Sequence, residues 1–545
     1  MPEHQPVISS AKLIAGCTLT SRVTGLIRDM LLVHTFGATS VLDAFFYGFQ
    51  FPNLFRRLFG EGALAAVFVP TFARTLETEG RPPAWKLLAR TLALLCATVL
   101  AIIIAIEAIV LVIWLASPGG ADRQLILALT ALMLPFMLTI CVVALFSSIL
   151  NCLGSFVPAA LMPVVLNLVM IAGIAWFGPA IGGVAPQKQI VVVALSVLLA
   201  GGVQLALLMP VLRAHGVSLG WSFQPRDPQV REILGKMGPI LLGQGILLFG
   251  TFIDTQICIL FSPNANVFGP SFAYPLQEGA LSAVTVAQRL YQFPLGVLGI
   301  SLAVAALPTF SRLAARADWP GWSREVTRSL RLAMFVGLLT GGLMIVLAEP
   351  VVQLLFEYRN FDAADTARAA RVLMLYGFGM WAFCVQHIVL RAFYSVGDVR
   401  TPVRITCVLV PINIGMSLAL IWFDAVREAA FAISTSTTSA LAVFIGTVLL
   451  QRRTQTQLVS RETVWTTAKM LVAAIVTTLL VFWLRGAWLP SLTSAVESVM
   501  LRRGIDTLSA LALGCGVFLA LGALLGLPET RLLLRHRHPS IKQKD

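Results

Sequence analysis

Charge is scarce in this 545-residue chain. Asp, Glu, Lys and Arg make up 12% of it, about half the share of a soluble globular protein. With 57% hydrophobic residues and a mean hydropathy of +0.85, that scarcity excludes an ordinary water-soluble fold and leaves the membrane class. No polar stretch is long enough to form a separate soluble domain. Cysteine is thin as well: the eight residues form no C-x-x-C pair and have no histidine at ligand spacing, so they read as small core residues rather than zinc ligands or a disulfide framework. An uncharged leader is also lacking. Arg22, Arg28 and Asp29 sit where the apolar core of a cleaved signal peptide would be, so the first apolar stretch is expected to stay in the mature protein. The net charge of +14 is spread through connecting segments rather than gathered beside aromatics, so it reads as topology-setting charge and not as a nucleic-acid surface.

What is present is a succession of apolar runs, each able to cross a hydrocarbon core that takes about 20 helical residues. The runs fall near 10–35, 45–74, 87–116, 124–150, 157–178, 189–212, 234–261, 280–311, 329–349, 367–395, 402–423, 428–450, 464–486 and 505–527. That makes about fourteen helices. Pro52 and Pro294 lie inside the second and eighth, which are expected to bend or break there. Lys and Arg collect in alternate loops: Arg74 to Arg90, Arg213 to Lys236, Arg312 to Arg328, Arg400 with Arg404, Arg452 to Arg461, and the tail from Arg531 to Lys544. The opposite loops are poorer, with one arginine in 117–123 and none in 262–279. Retention of basic loops inside the cell then puts both termini in the cytoplasm.

The chain repeats itself. Gln50-Phe51-Pro52 leading to Pro70-Thr71-Phe72-Ala73-Arg74 recurs as Gln292-Phe293-Pro294 leading to Pro308-Thr309-Phe310-Ser311-Arg312, the second markers 238 residues apart. A weaker echo pairs Gly154 and Pro158 with Gly397 and Pro402. Six spans separate the copies, an even number, so the halves share one orientation, as in transporters built from parallel repeats. The expected fold is all-α and polytopic, with two parallel six-helix repeats and two further C-terminal helices. The expected domains are a lobe over 1–220, a second over 221–455, two added helices over 456–530 and a basic cytoplasmic tail over 531–545.

Four arginines fall within apolar spans: Arg22, Arg28, Arg56 and Arg289. Each costs ~2.5–3.5 kcal/mol at a bilayer centre, so four facing lipid would cost roughly 10–14 kcal/mol, comparable with the whole stability of a typical domain. They must be hydrated, paired or both; for any one of them alone, snorkelling to the interface is the other reading. Asp29 adjoins Arg28, Glu61 lies one turn after Arg57, and Asp43 stands near the start of the second span. These carboxylates either neutralise arginines or take part in gating. Arg289 has no acid within one helical turn in sequence. A cationic cavity favours an anionic substrate, and guanidinium suits bidentate binding of phosphate or pyrophosphate oxygens.

Several blocks are distinctive: Ser21-Arg22-Val23-Thr24-Gly25-Leu26-Ile27-Arg28-Asp29, Asp43-Ala44-Phe45-Phe46, Phe51-Pro52-Asn53-Leu54-Phe55-Arg56-Arg57-Leu58-Phe59-Gly60-Glu61-Gly62-Ala63, and Gln288-Arg289-Leu290-Tyr291-Gln292-Phe293-Pro294. Leu355-Phe356-Glu357 with Phe361-Asp362, and Ala392 to Asp398 ending in Thr401-Pro402, add to them. Through these blocks, and over almost its whole length, the sequence resembles the MurJ (MviN) family of lipid II flippases. The resemblance implies fourteen helices in the bacterial inner membrane that carry lipid II, the undecaprenyl-pyrophosphate disaccharide pentapeptide, from the cytoplasmic to the periplasmic leaflet by alternating access, for peptidoglycan synthesis. It also implies that Arg22, Arg28, Arg56 and Arg289 line a central cavity and engage the pyrophosphate, and that the two added helices form a groove for the lipid tail. Membrane lipids and the cell-wall synthesis machinery are the implied partners.

The sequence departs from the family in two places. Gln288 stands where relatives often have an aspartate, and Ser417 stands where a carboxylate is expected in the sodium site of some relatives, to which Asp254 and Asn413 are the matches. No other cofactor is expected, and sodium, membrane potential and a proton gradient all remain open as the energy source. A flippase for another polyprenyl-pyrophosphate-linked oligosaccharide, of O-antigen or capsule type, is the alternative. A membrane glycosyltransferase is disfavoured, because the longest outer loops span only about 20 residues and leave little room to hold an acceptor.

Overall fold

The structure is a computed structural model, described here for residues 7–58, 64–116, 119–224, 227–228, 231–233, 235, 250–487 and 497–530. Among these residues all regular secondary structure is helical, with no strand. An apolar solvent imposes this, since a backbone that meets no water must satisfy its N–H and C=O groups within its own segment. The chain divides into two compact units. One comprises the residues up to Ser282 together with Tyr358–Asp362; the other comprises Ala283–Glu357 and the residues from Ala363 onward.

The first unit contains α1 (Val7–Phe36), α2 (Ser40–Phe55), α3 (Leu64–Thr78), α4 (Arg81–Ala116), α5 (Ala121–Met133), α6 (Phe136–Cys152), α7 (Phe156–Ala172), α8 (Gly178–Gly182), α9 (Pro186–Ala214) and α10 (Gly250–Leu260). The α5–α6 span is the most enclosed, with 67% of its apolar window buried, whereas only 17% of the α4 window is. Leu100, Ile104, Ile109, Val112 and Leu115 therefore give α4 a broad exposed apolar face, as a lipid-facing helix requires.

The second unit takes most of α11 (Ala280–Pro294), then α12 (Ser301–Ala315), α13 (Trp319–Phe356), α14 (Ala363–Ser395), α15 (Arg400–Leu420), α16 (Ala430–Thr454), α17 (Arg461–Ala487) and α18 (Val499–Leu524). Its core is the α13–α14 pair. A Cβ on Gly341 would lie 2.5 Å from the Gly377 carbonyl oxygen, so glycine is what lets the two backbones approach this closely.

Eleven helices among the described residues are long and apolar enough to cross a membrane. They coincide with all the expected spans except the first, second and seventh. Helix α1 is long enough, at 30 residues, but Arg22, Arg28, Asp29 and several hydroxyl residues dilute its apolar character. The second span is divided between α2 and α3, with residues 59–63 outside the description, and most of the seventh is also outside it.

The internal repeat is visible in the packing. Helix α3 packs on α4 and α6, α4 on α6, and both α6 and α7 on α9; correspondingly α12 packs on α13 and α14, α13 on α14, and both α14 and α15 on α16. Pro52 and Pro294 each precede a π-helical turn, at residues 56–58 and Leu295–Ile300, where the missing proline N–H lets the ladder loosen. The Gly154 and Gly397 echo is a shared helix end. Both glycines are left-handed, at φ +79° and +74°, and each is followed by a backbone bond closing the helix, Ser155 N–H to Leu150 O at 2.8 Å and Asp398 N–H to Phe393 O at 3.0 Å. Helices α17 and α18 have no counterpart in the first repeat. They pack on α13 and on each other through Phe335, Met470, Ala473 and Phe518, and further along through Leu343, Leu347, Val481 and Ala510.

Candidate substrate-binding site

Arg22 and Arg28 are six residues apart on α1, which turns them about 120° from each other. Their environments differ accordingly. Arg28 is 8% exposed and fully engaged: its Nε and Nη2 donate to Asp29 Oδ1 at 2.9 and 2.7 Å, and its Nη1 donates to Asn167 Oδ1 at 2.8 Å. Asn167, 5% exposed on α7, donates in turn to the Ser21 carbonyl and to Thr24 Oγ1, both at 3.1 Å. The guanidinium is thus the centre of a joint between α1 and α7. Arg22 is exposed and makes no hydrogen bond or ion pair among the described residues. A bidentate donor held ready in this way is the arrangement that phosphate recognition needs.

Asp43 is fully buried in the first turn of α2. Its Oδ1 accepts from the backbone N–H and hydroxyl of Ser282 at 2.7 and 2.6 Å, and its Oδ2 accepts from Asn264 at 3.1 Å. Ser282 lies in the first turn of α11, where the N–H groups lack intrahelical partners. The capping is reciprocal: Glu278, just before α11, accepts from the Ser40 N–H at the first position of α2 at 2.9 Å, and Ser40 Oγ donates to Asp122 at 2.9 Å. Each helix start therefore receives a carboxylate from the other's neighbourhood, which favours both dipoles. Asn360 joins the same end of the first unit, its Nδ2 donating to the Thr35 carbonyl at 2.5 Å.

Arg56 opens the π-helical turn after α2, half-buried, with Nη2 donating to Asn53 Oδ1 at 3.2 Å. Glu61, its expected neighbour in charge, lies outside the described residues. Arg289 is half-buried on α11 in the second unit. Beside it Gln288 donates to the buried Tyr376 hydroxyl at 3.3 Å, and the Tyr291 ring lies 4.4 Å from Tyr376 and 5.3 Å from Phe383. Gln288, where the resemblance led to an expected aspartate, thus has a neutral hydroxyl partner.

The residues matched to a sodium site divide between the units. Asn413 on α15 donates to Thr438 Oγ1 at 3.3 Å, and the Ser417 and Ser434 hydroxyls share a bond of 2.7 Å. This cluster between α15 and α16 is neutral and satisfied internally. Asp254 lies on α10 of the first unit, 5% exposed, with Oδ1 buried and unbonded among the described residues. A sodium ion needs several converging oxygens; the second unit's cluster supplies neutral amide and hydroxyl oxygens, and the carboxylate is on the first unit.

Sequence reasoning missed Asn167, Glu278 and Tyr376. Asn167 had a signal, as a lone amide in the apolar run of α7. Glu278 and Tyr376 had none, because their partners lie 238 and 88 residues away.

A bundle of long apolar helices, internally repeated and carrying arginines within its spans, defines a multi-pass membrane transporter. Its fold is similar to that of an inward-facing multidrug resistance MATE family transporter of the MOP superfamily, with a TM-score of 0.65 and 15% identity over 82% of this chain and 98% of that one. It is also similar to lipid II flippase MurJ in an inward closed conformation, with a TM-score of 0.73 and 20% identity over 96% of this chain and all of that one. The family described as lipid II flippase MurJ matches residues 32–502. A probable lipid II flippase MurJ of Rhizobium tropici is 30% identical over 535 residues, covering 96% of this chain and 95% of that protein. The chain belongs to the MurJ family.

Proposed function

We propose that this chain is a flippase that moves lipid II from the cytoplasmic to the periplasmic leaflet of the bacterial inner membrane, with both termini in the cytoplasm. Membership of the family supports the substrate, and the observation that carries the mechanism is the contrast on α1: Arg28 is consumed by Asp29 and Asn167, while Arg22 keeps every donor unbonded. In the first unit Arg22 binds pyrophosphate, with Arg56 adding charge at the end of α2, and in the second unit Arg289 has the same role. Arg28 holds α1 against α7, so that Arg22 is presented from a fixed helix. The reciprocal caps of Asp43 and Glu278 close one end of the first unit, and their parting and re-forming accompany alternating access.

The polyprenyl tail runs outside the polar path. A furrow of about 440 Å³ lined by Leu354, Met500, Leu501, Ile505 and Leu508 lies between α13 and α18 and is apolar apart from Ser498, which suits an isoprenoid chain. No bond in the substrate is made or broken, so the chain acts as a transporter rather than an enzyme. The O-antigen or capsule alternative is not favoured, since the family match extends over most of the chain.

Depletion of the protein, followed by measurement of the leaflet on which lipid II accumulates, tests the assignment. Lipid II is expected to collect on the cytoplasmic face. Continued arrival outside, in a strain with no second flippase, overturns the proposal.

A further inference from the structure

A cavity of about 520 Å³ opens at the end of the second unit where α13 begins, the α16–α17 connection turns and α18 ends. None of Arg22, Arg28, Arg56 and Arg289 lines it. Arg324, Arg328 and Arg331 line it from α13, and their spacing of four and three residues puts them on one helix face. The opposite walls are the turn from Gln457 to Ser460 and the segment Pro528–Glu529. The cavity is built rather than incidental: Ser323 Oγ donates to the Gln457 carbonyl at 2.9 Å and Thr327 Oγ1 to the Leu458 carbonyl at 3.1 Å, fixing the turn to the helix.

The charges inside are unevenly used. Arg331 is bound to Glu529, Nε to Oε1 at 2.8 Å, and approaches the exposed Glu462 at 3.6 Å. Arg324 makes only a backbone contact, to the Pro320 carbonyl at 3.3 Å. Arg328 lies 3.9 Å from Glu325 and its side chain is 57% exposed. Two guanidiniums one turn apart thus retain free donors. Glu529 is the reverse case. Its side chain is 4% exposed, and its Oε2 is buried with no hydrogen-bond partner among the described residues. The final torsion of a glutamate is soft, so either oxygen can turn toward the cavity.

The cavity lies at headgroup depth. Trp319 and Trp465, in the first turns of α13 and α17, are exposed, as aromatic residues at a membrane interface are. Further along α17, Leu471, Val472, Ile475 and Leu479 present an exposed apolar strip. Phosphate-binding arginines at the interface, a carboxylate seeking a donor and an apolar strip beneath them together describe the two ends of a phospholipid.

We propose that this cavity binds a membrane phospholipid whose phosphate lies between Arg324 and Arg328 and whose headgroup ammonium donates to Glu529. Phosphatidylethanolamine has that chemistry. Phosphatidylcholine carries the same phosphate but has no N–H to donate.

The test is native mass spectrometry of the purified full chain, released from detergent, with each lipid titrated in. Phosphatidylethanolamine is expected to bind at least about tenfold more tightly than phosphatidylcholine, the effect of one charge-assisted hydrogen bond. The double variant Arg324→Ala/Arg328→Ala is expected to lose binding of both lipids by a similar factor. The comparison of the two lipids uses the unaltered chain and is independent of how the variant folds. Equal affinity for the two lipids overturns the proposal, as does a double variant that retains full binding. Soluble glycerophosphoethanolamine separates the sources of the headgroup: weak binding supports a lipid ligand, and affinity equal to the lipid's overturns it.

Discussion

Replacing Arg22 and Arg28 separately should divide transport from stability, although both arginines lie on one helix within a single sequence block. Arg28→Ala removes the guanidinium from a buried carboxylate, which costs about 3–5 kcal/mol where a buried pair is broken. Hydrogen bonds between membrane helices average only ~0.6 kcal/mol in double-mutant cycles. The larger figure governs here, because the lost group carries a formal charge and bonds both Asp29 and Asn167. Asp29 keeps a further contact, so the lower end, about 3 kcal/mol, is expected. At about 2.1 cal/mol/K of unfolding entropy per residue, a chain of 545 residues shifts by about 1 °C per kcal/mol, so the melting temperature of the detergent-purified chain should fall by about 3 °C. Adding Asp29→Asn to Arg28→Ala removes the stranded charge and should recover part of the loss, a coupling that a double-mutant cycle measures directly. Arg22→Ala removes no bond, so its melting temperature should stay within about 1 °C of the parent's while the movement of lipid II is abolished. Equal destabilisation by the two variants, or full transport by Arg22→Ala, refutes the division of roles.

The remaining predictions concern the caps, acid stability and the coupling ion. Asp43→Ala strands the Ser282 and Asn264 donors, and a loss of about 2–3 kcal/mol should appear in thermal unfolding, whereas Phe45→Leu on the same helix should cost less than about 1.5 kcal/mol. Asp398, in the connection between α14 and α15, is pushed up by burial, but the N–H and hydroxyl of Thr401, the Arg453 guanidinium and the Arg400 N–H together bring it below the usual carboxylate value. A lowered carboxylate contributes stability above its unfolded value, about pH 4, and that contribution is lost as pH falls through the folded value. Asp398→Asn should therefore melt lower than the parent at pH 7, with the difference shrinking below about pH 4. Because the α15–α16 cluster is neutral, lipid II transport should proceed at the same rate in Na⁺ and K⁺ media; a rate that rises with Na⁺ and is lost in Asn413→Ala would show that the cluster binds the ion after all.

Much of this protein is legible in its sequence. The length of an apolar run is fixed by the thickness of the hydrocarbon core, so eleven of the fourteen expected spans could be read from composition alone; the first, second and seventh are not among the helices long and apolar enough to cross. The duplicated Pro-Phe and glycine signals marked real features, since proline loosens a helix and left-handed glycine ends one wherever they occur. Arg28 and Asp29 could be paired because they are neighbours in the chain. The intramembrane cost of arginine marked out Arg22, Arg28, Arg56 and Arg289 without saying which were free.

Tertiary structure decided that question for Arg22 and Arg28. Arg28 is a structural joint because Asn167, 139 residues away, reaches it across the α1–α7 contact. Asp43 caps a helix rather than only balancing a cation because Ser282 arrives 239 residues later. The cavity beside α13 exists because three connections far apart in sequence meet at one end of the second unit. Local chemistry and the demands of the bilayer act on neighbouring residues and can be read along the chain. Which donors remain unbonded depends on partners that only packing brings within about 3 Å.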